Sequence, residues 1–269
     1  MSEKVAHYDA QYGGFTGEVY AAIRRETFGE DIGQNSWLTT DEFRRFLSWL
    51  ELSRASRVLD VGCGSGGPAL FIARSIGCNI TGVDIHEKGV EVANKQSQAT
   101  GLASLAQFRL VDGSKSLPFE ENAFDAIACI DAINHLPNRL GVLIEWQRIL
   151  KPGGRLLFTD PITVTGLLSS EEIAVRSSAG FYLFAAPDAD ERLISEAGFE
   201  LLRREDVTEN MGLVAKRWHE ARAKHAEFLI QAVGKETFEG QQKFFAMAHE
   251  LARERRLSRF AFLARKPAN

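Results

Sequence analysis

The residues best suited to chemistry sit in one short run, Asp60-Val61-Gly62-Cys63-Gly64-Ser65-Gly66-Gly67. Glycines this dense let a backbone turn tightly and approach a ligand at the N-terminus of a helix. The loop alone is ambiguous, because Gly62, Gly64 and Gly67 also satisfy the fingerprint of dinucleotide sites, and so an NAD-dependent dehydrogenase. Asp60 separates the readings. A carboxylate just ahead of the loop repels a pyrophosphate and suits the ammonium of a bound amino acid. Two further acids follow at strand ends. Asp84 is placed to accept from ribose hydroxyls, with Ile85 beside it as an apolar face for a flat base, and Asp112-Gly113 can accept from an exocyclic amine. Three strands ending in acid at one sheet edge make an acidic crevice. It fits a cationic conjugate of nucleoside and amino acid better than a dinucleotide.

A second group of candidates follows the fourth predicted strand, in Asp131-Ala132-Ile133-Asn134-His135-Leu136-Pro137-Asn138. His135 falls on a loop over the sheet edge, and an imidazole titrates near working pH, as a general base requires. Asp160 ends the next strand, so the two are expected to form a His–Asp pair in which the carboxylate orients the ring. The plainer alternative has His135 bonding its own loop and Asp160 capping the turn before Pro161. Asp131 is open between a contact to a ligand's amino group and a helix cap.

These residues need elements to hold them. GEVYAAIRRETFGE and TTDEFRRFLSWLEL read as amphipathic helices, the second with Thr39 and Glu42 at capping-box spacing. Then strands and helices alternate: RVLDVG, GGPALFIARSIG, NITGVDI, EKGVEVANKQSQATG, LAQFRLVDG, AFDAIACIDA, NRLGVLIEWQRIL and, after a Lys151–Gly154 turn, RLLFTD. Apolar strands alternating with helices predict a parallel sheet covered on both faces. Later come ADERLISEAGF as a helix, ELLRREDVT as a sixth strand, a helical region from about 212 to 256, and LSRFAFLARK as a closing strand.

The composition narrows the class. The chain has 269 residues, 45% hydrophobic and 25% charged, with a formal net charge of −4. That size permits one α/β domain with insertions, and the mild negative charge argues against nucleic-acid partners. No apolar run approaches a membrane span and the first residues lack the apolar stretch of a signal peptide. Cys63, Cys78 and Cys129 have no metal-ligand spacing, so no metal is expected. They read as reduced thiols of a cytoplasmic protein, with Cys63 open to thiol reagents. The cluster Arg253, Arg255, Arg256 and Arg259 reads as a solvated helix face, with an anion or partner site as the alternative.

The stretch from Arg57 to Asp160 resembles the class I S-adenosylmethionine-dependent methyltransferases. VLDVGCGSGG is similar to their first motif, TGVDI to their second-strand acid, VDGSKSLPFEENAFDAI to their third and fourth strands, and LKPGGRLLFTD to their fifth. The resemblance implies an α/β, Rossmann-like sheet of seven mostly parallel strands with an antiparallel last strand and helices on both faces. It implies one domain over 1–269: an N-terminal helical lid (1–52), a cofactor core (53–161) and lid insertions (162–187 and 212–256). S-adenosylmethionine is the implied cofactor and S-adenosylhomocysteine the product. Gly62, Gly64 and Gly66 would line its methionine part, Asp84 its ribose and Asp112 its adenine amine. Asp60, Cys63, Ile85, Gly113, Ile130, Trp37 and Tyr8 complete the expected set, with Tyr12 near the last.

The DAINHLPN segment is similar to the His-Met-Pro-Asp loop of sugar O-methyltransferases, tocopherol methyltransferases and sterol C-methyltransferases, with Asn138 in place of the usual Asp. This implies His135 and Asp160 as catalytic residues, although many relatives carry this His without using it as a base. The expected acceptor is a small molecule in an enclosed pocket, methylated on a hydroxyl. N- or C-methylation by positioning alone is the alternative, and a catalytically silent cofactor-binding scaffold is the rival of another class. Aromatic residues of the lid (Phe181, Tyr182, Phe184, Trp218, Phe228, Phe238, Phe244, Phe245) divide between core and pocket wall. The oligomeric state stays open, a homodimer included.

Overall fold

Alternating strands and helices close into one sheet in the computed structural model, which describes residues 17–178 and 180–268. Two helices lead in, α1 (Glu18–Phe28) and α2 (Thr40–Trp49). The alternation follows: β1 (Arg57–Val61), α3 (Gly67–Ile76), β2 (Asn79–Asp84), α4 (Glu87–Ala99), β3 (Ala106–Leu110), β4 (Phe124–Cys129), α5 (Arg139–Ile149) and β5 (Leu150–Val164). Beyond it lie α6 (Ser170–Arg176), α7 (Ala189–Glu196), β6 (Glu200–Asp206), α8 (Thr208–Lys224), α9 (Ala226–Val233), α10 (Lys235–Arg253) and β7 (Leu257–Arg265). The described strands form a seven-stranded sheet in the order β3-β2-β1-β4-β5-β7-β6. Strands β1 to β5 pair in parallel, while β7 runs antiparallel to both β5 and β6. The order reverses between β1 and β4, and ligand crevices form at such reversals, outside the carboxyl ends of the strands.

Strand period divides the core. On β1, Val58 packs with Phe43, Phe71 and Ile80 on one face, and its neighbour Leu59 packs with Ile127, Trp146 and Phe158 on the other. A third cluster stands apart from the sheet faces, where Ile23 and Phe28 of α1 and Trp37 meet Met211, Val214 and Trp218 of α8 and Phe238 of α10. The region expected at 212–256 is thus three helices packed on the N-terminal segment.

Two local readings are corrected. Thr39 caps α2 by accepting from the Glu42 backbone N–H, but the Glu42 carboxylate does not reach back; it bonds Arg259 and Asn210 instead. The Lys151–Gly154 turn is absorbed into β5, with Gly153 at φ 77°.

Candidate active site

The glycine loop is shaped by backbone bonds to the neighbouring strand. Both Gly62 and Cys63 donate to the Val83 carbonyl, at 2.9 and 3.1 Å. Gly62, Gly64 and Gly66 all have positive φ, which L side chains rarely adopt, and Gly66 caps α3 in the left-handed region with a proline in the first turn behind it. Gly67 serves packing: a Cβ there would lie 2.2 Å from the Gly33 carbonyl oxygen. The 33–37 segment therefore sits directly against the start of α3.

Asp84 braces this loop. Its Oδ2 accepts from the Gly64 N–H and its Oδ1 from the His86 N–H, each at 2.8 Å, and a carboxylate retains lone pairs for further donors. Asp60 is different. It is 4% exposed, and no donor among the described residues reaches its carboxylate. Burial, and then repulsion from Asp84, push its pKa up to about 7. It faces a cavity of about 50 Å³ with Gly62, Cys63, Gly64 and Ile130, and Asn35 and Ser36 also line it. Asp112 is held in a turn by the backbone and hydroxyl of Ser114, at 2.9 and 2.6 Å, with Gly113 packed close on Val61. Ile85 is half exposed beside Asp84. Tyr8 and Tyr12 lie outside the described residues. The Cys63 thiol is buried, and burial with the two aspartates pushes it well above its usual range, which corrects the expectation of a reactive thiol.

A second cavity, of about 260 Å³, adjoins the first. Aromatic rings form much of its wall: Trp37, Tyr182, Trp218, Phe244 and Phe245. Trp37 stacks on Phe244 and Trp218 on Phe245. Asp131, Asn134, His135 and Pro161 supply the side nearest the sheet. Asn35 and Ser36 line both cavities, so the 33–37 segment is the partition between them. The structure thus puts Trp37 on the second cavity, not on the one that holds Asp60.

His135 lies in a 3₁₀ turn, Ile133–His135, just past β4. Its Nδ1 is 2.7 Å from the Phe181 carbonyl oxygen. Since a carbonyl only accepts, Nδ1 carries the proton and Nε2 the lone pair. Tyr182 packs edge-on to the ring at 4.6 Å. Burial lowers the pKa of His135 below its usual 6.5, keeping the ring neutral.

The expected His135–Asp160 pair does not form. Asp160 is fully buried and taken by Arg139, whose Nη1 donates to its Oδ2 at 2.6 Å, and by the Ile162 N–H at 3.1 Å. Arg139 also donates to Asp190 and to the Leu183 carbonyl. The signal for Arg139 was its position: a cation in the first turn of a helix opposes the helix dipole unless carboxylates hold it there. Asn138 is the N-cap of the same helix, accepting from the Gly141 N–H.

Asp131 caps no helix, and its carboxylate in the cavity wall is already engaged by three donors. It sits at φ 53° and accepts from the Trp37 N–H (2.9 Å), the Thr159 hydroxyl (2.7 Å) and Arg259 Nε (2.7 Å). Arg259, expected on a solvated helix face, is fully buried on β7. The other three arginines of that cluster are surface cations paired to Glu254, Asp206 and Glu172. Among the described residues no group of three or more His, Cys, Asp or Glu is arranged to hold a metal, and no helix is long and apolar enough to cross a membrane.

The geometry can now be set beside known proteins. Residues 59–158 match the family model described as a methyltransferase domain. Methyltransferase GfsG of Streptomyces halstedii is 36% identical over 60% of this chain and 58% of its own length. O-methyltransferase rstn1 of Aspergillus nomiae is 31% identical over 60% of this chain and 72% of its own. Other relatives bear the names of C- and N-methyltransferases. Of solved structures, the [4+2]-cyclase SpnF superposes with a TM-score of 0.76 at 25% identity, over 97% of this chain and 94% of that one. The chain spans between about a third and three quarters of the length of the first curated relatives it matches.

Proposed function

This chain belongs to the class I S-adenosylmethionine-dependent methyltransferases, and we propose that it methylates an oxygen of a small-molecule acceptor held in the larger cavity, with His135 as the base. The observation that carries this reading is the juxtaposition of two cavities across one partition, with a buried unpartnered carboxylate in one and a neutral imidazole in the wall of the other. S-adenosylmethionine, when bound, supplies a methyl group already activated on a sulfonium. The residues present fit it. Asp60 is a buried acceptor awaiting a cation, the positive-φ glycines leave the backbone bare, and Asp84, Ile85 and Asp112 follow at and beyond the ends of β2 and β3 for ribose and base.

His135 is poised for one proton. The Phe181 carbonyl fixes its tautomer, Tyr182 fixes its plane, and the lowered pKa keeps Nε2 able to accept. Asp160 is given no part in that transfer, because Arg139 neutralises it inside the fold. The aromatic wall excludes water and favours an acceptor with a flat or apolar body. A relative named as an O-methyltransferase supports oxygen as the acceptor atom.

The test is mass spectrometry of a panel of hydroxylated metabolites incubated with the protein and S-adenosylmethionine. A single added methyl on oxygen is expected. The likeness to a [4+2]-cyclase favours one second reading, a rearrangement in the same cavity, in which the product has the mass of its substrate. With the acceptor so found, His135→Ala is expected to lower kcat roughly 10²- to 10⁴-fold and leave S-adenosylhomocysteine affinity unchanged. The wild-type rate should rise with pH, with a midpoint below 6.5, as the ring loses its proton. Unchanged turnover in His135→Ala rejects the base.

A further inference from the structure

We propose that Arg259 is a positioning residue for cofactor binding: from its buried place on β7 it acts through Asp131 and Glu42 to hold the partition between the two cavities. The proposal rests on the reading of the smaller cavity as the cofactor's.

The partition is anchored at both ends. At its start, the Gly33 N–H donates to Asp31 and the Ile32 N–H to the buried Gln34 side chain. At its exit everything converges on Trp37. Its N–H donates to Asp131 Oδ2 at 2.9 Å, and its carbonyl accepts from Asn210 Nδ2 at 3.0 Å. Arg259 stands behind both anchors. Its Nε donates to Asp131 Oδ1 at 2.7 Å and its Nη1 to Glu42 Oε2 at 2.6 Å, and Asn210 donates to that same Glu42 oxygen at 3.0 Å. Glu42 lies in the first turn of α2, the helix that begins directly after the partition. One guanidinium thus ties the end of β4, the partition and the following helix to the sheet.

The charges explain why the arginine is needed there. Asp131 and Glu42 are close enough to repel each other, and burial pushes the Glu42 carboxyl above its ordinary range against the pull of Arg259. Burial alone would lower the guanidinium's pKa, but the two carboxylates outweigh it and hold Arg259 charged. A planar fork with several donors can serve both acids at once. Without it the two carboxylates are left facing each other in the interior. Asp131 then gives up the Trp37 N–H, and Asn35 and Ser36 are released from the cofactor wall.

The experiment measures S-adenosylhomocysteine binding to the full chain by calorimetry and stopped-flow fluorescence, at a temperature where each variant is over ~99% folded by chemical denaturation. Under that condition a loss of stability alone leaves the dissociation constant unmoved. Arg259→Met keeps the bulk and removes the charge. Its dissociation constant is expected to rise roughly ten-fold or more, chiefly through faster dissociation. Should Arg259→Met not fold, Asn210→Ala reads the same anchor from the half-buried face of α8, with about a three-fold weakening expected. Wild type that binds while a folded Arg259→Met, or failing that Asn210→Ala, binds as tightly overturns this proposal alone. Wild type that binds no S-adenosylhomocysteine overturns the cofactor reading, and this proposal with it.

Discussion

Arg139 and Arg259 are both buried, each between two carboxylates, yet they hold different kinds of structure. Arg139 starts α5, and its partners Asp160 and Asp190 lie on β5 and in the first turn of α7. Its further bond to the Leu183 carbonyl reaches the segment whose Phe181 carbonyl orients His135. Everything it grips is a regular element or the strap beside one. Arg259 grips, through Asp131, the exit of a segment that has no regular structure and lines two cavities. The same charge pattern therefore stabilises the fold in one place and shapes a binding wall in the other. Buried ion triads of this kind are poor sources of net stability, because desolvation offsets the attraction, but removing one partner is costly.

Breaking the first triad is the severest test of this contrast. Arg139→Met leaves Asp160 and Asp190 buried side by side without their cation. A loss of about 3–5 kcal/mol in unfolding free energy is expected, measured by urea denaturation at pH 8. S-adenosylhomocysteine affinity in the folded protein should stay within about two-fold of wild type, because Arg139 touches neither the glycine loop nor the partition. A large loss of cofactor affinity would erase the distinction between the two arginines.

Asp60 sharpens the contrast from the other side, as a buried carboxylate with no arginine at all. Asp84, on the next strand, raises its pKa further, and the folded chain without ligand holds it protonated below about 7. A bound ammonium favours the carboxylate, so binding releases a proton at low pH. Affinity for S-adenosylhomocysteine should therefore climb as pH rises through about 7 and level off above it. Asp60→Asn should remove that slope and weaken binding at pH 8 by about 1.5–2 kcal/mol, roughly ten- to thirty-fold. A pH-independent wild type would mean that the orphaned acid serves something other than the cation.

The neighbourhood of the candidate cofactor residues was legible because it is local. Asp60, the glycines and Asp84 stand within one strand-loop-helix-strand unit, and parallel pairing puts the ends of its two strands at one edge. The arginine triads were not legible, because Asp131 and Arg259 are 128 residues apart and nothing in either neighbourhood names the other. The His135–Asp160 pairing failed for a related reason. Adjacent strand ends suggest a contact, but Asp160 is fully buried and held by a guanidinium in the first turn of α5, while His135 bonds the Phe181 carbonyl. One signal does lie in the sequence: in LSRFAFLARK the alternation sets Arg259 on the same face as Leu257, Ala261 and Leu263, all buried, and apart from Arg253 at the helix end.

The smallest expected effect asks whether the Arg139 triad carries more negative charge than it needs. Burial, then repulsion from Asp160, pushes Asp190 up to about 7, above its unfolded value of 3.8. A carboxyl raised in this way is cheaper to bury protonated. Its contribution to stability is present below 3.8, falls as pH climbs toward about 7, and is flat beyond. Asp190→Asn keeps an oxygen that can accept from Arg139 Nη1 and discards the charge. At pH 8 it should match wild type within about 1 kcal/mol or exceed it, and its stability should slope less between pH 5 and 7, as read by urea midpoints across that range. Burial raises Glu42 too, but Asn210 and Arg259 both donate to one of its oxygens, where it holds the partition. A loss in Asp190→Asn as large as that in Arg139→Met would show that both acids are needed at full charge. The two triads would then be alike in their electrostatics, and only the segment held by Asp131 would distinguish them.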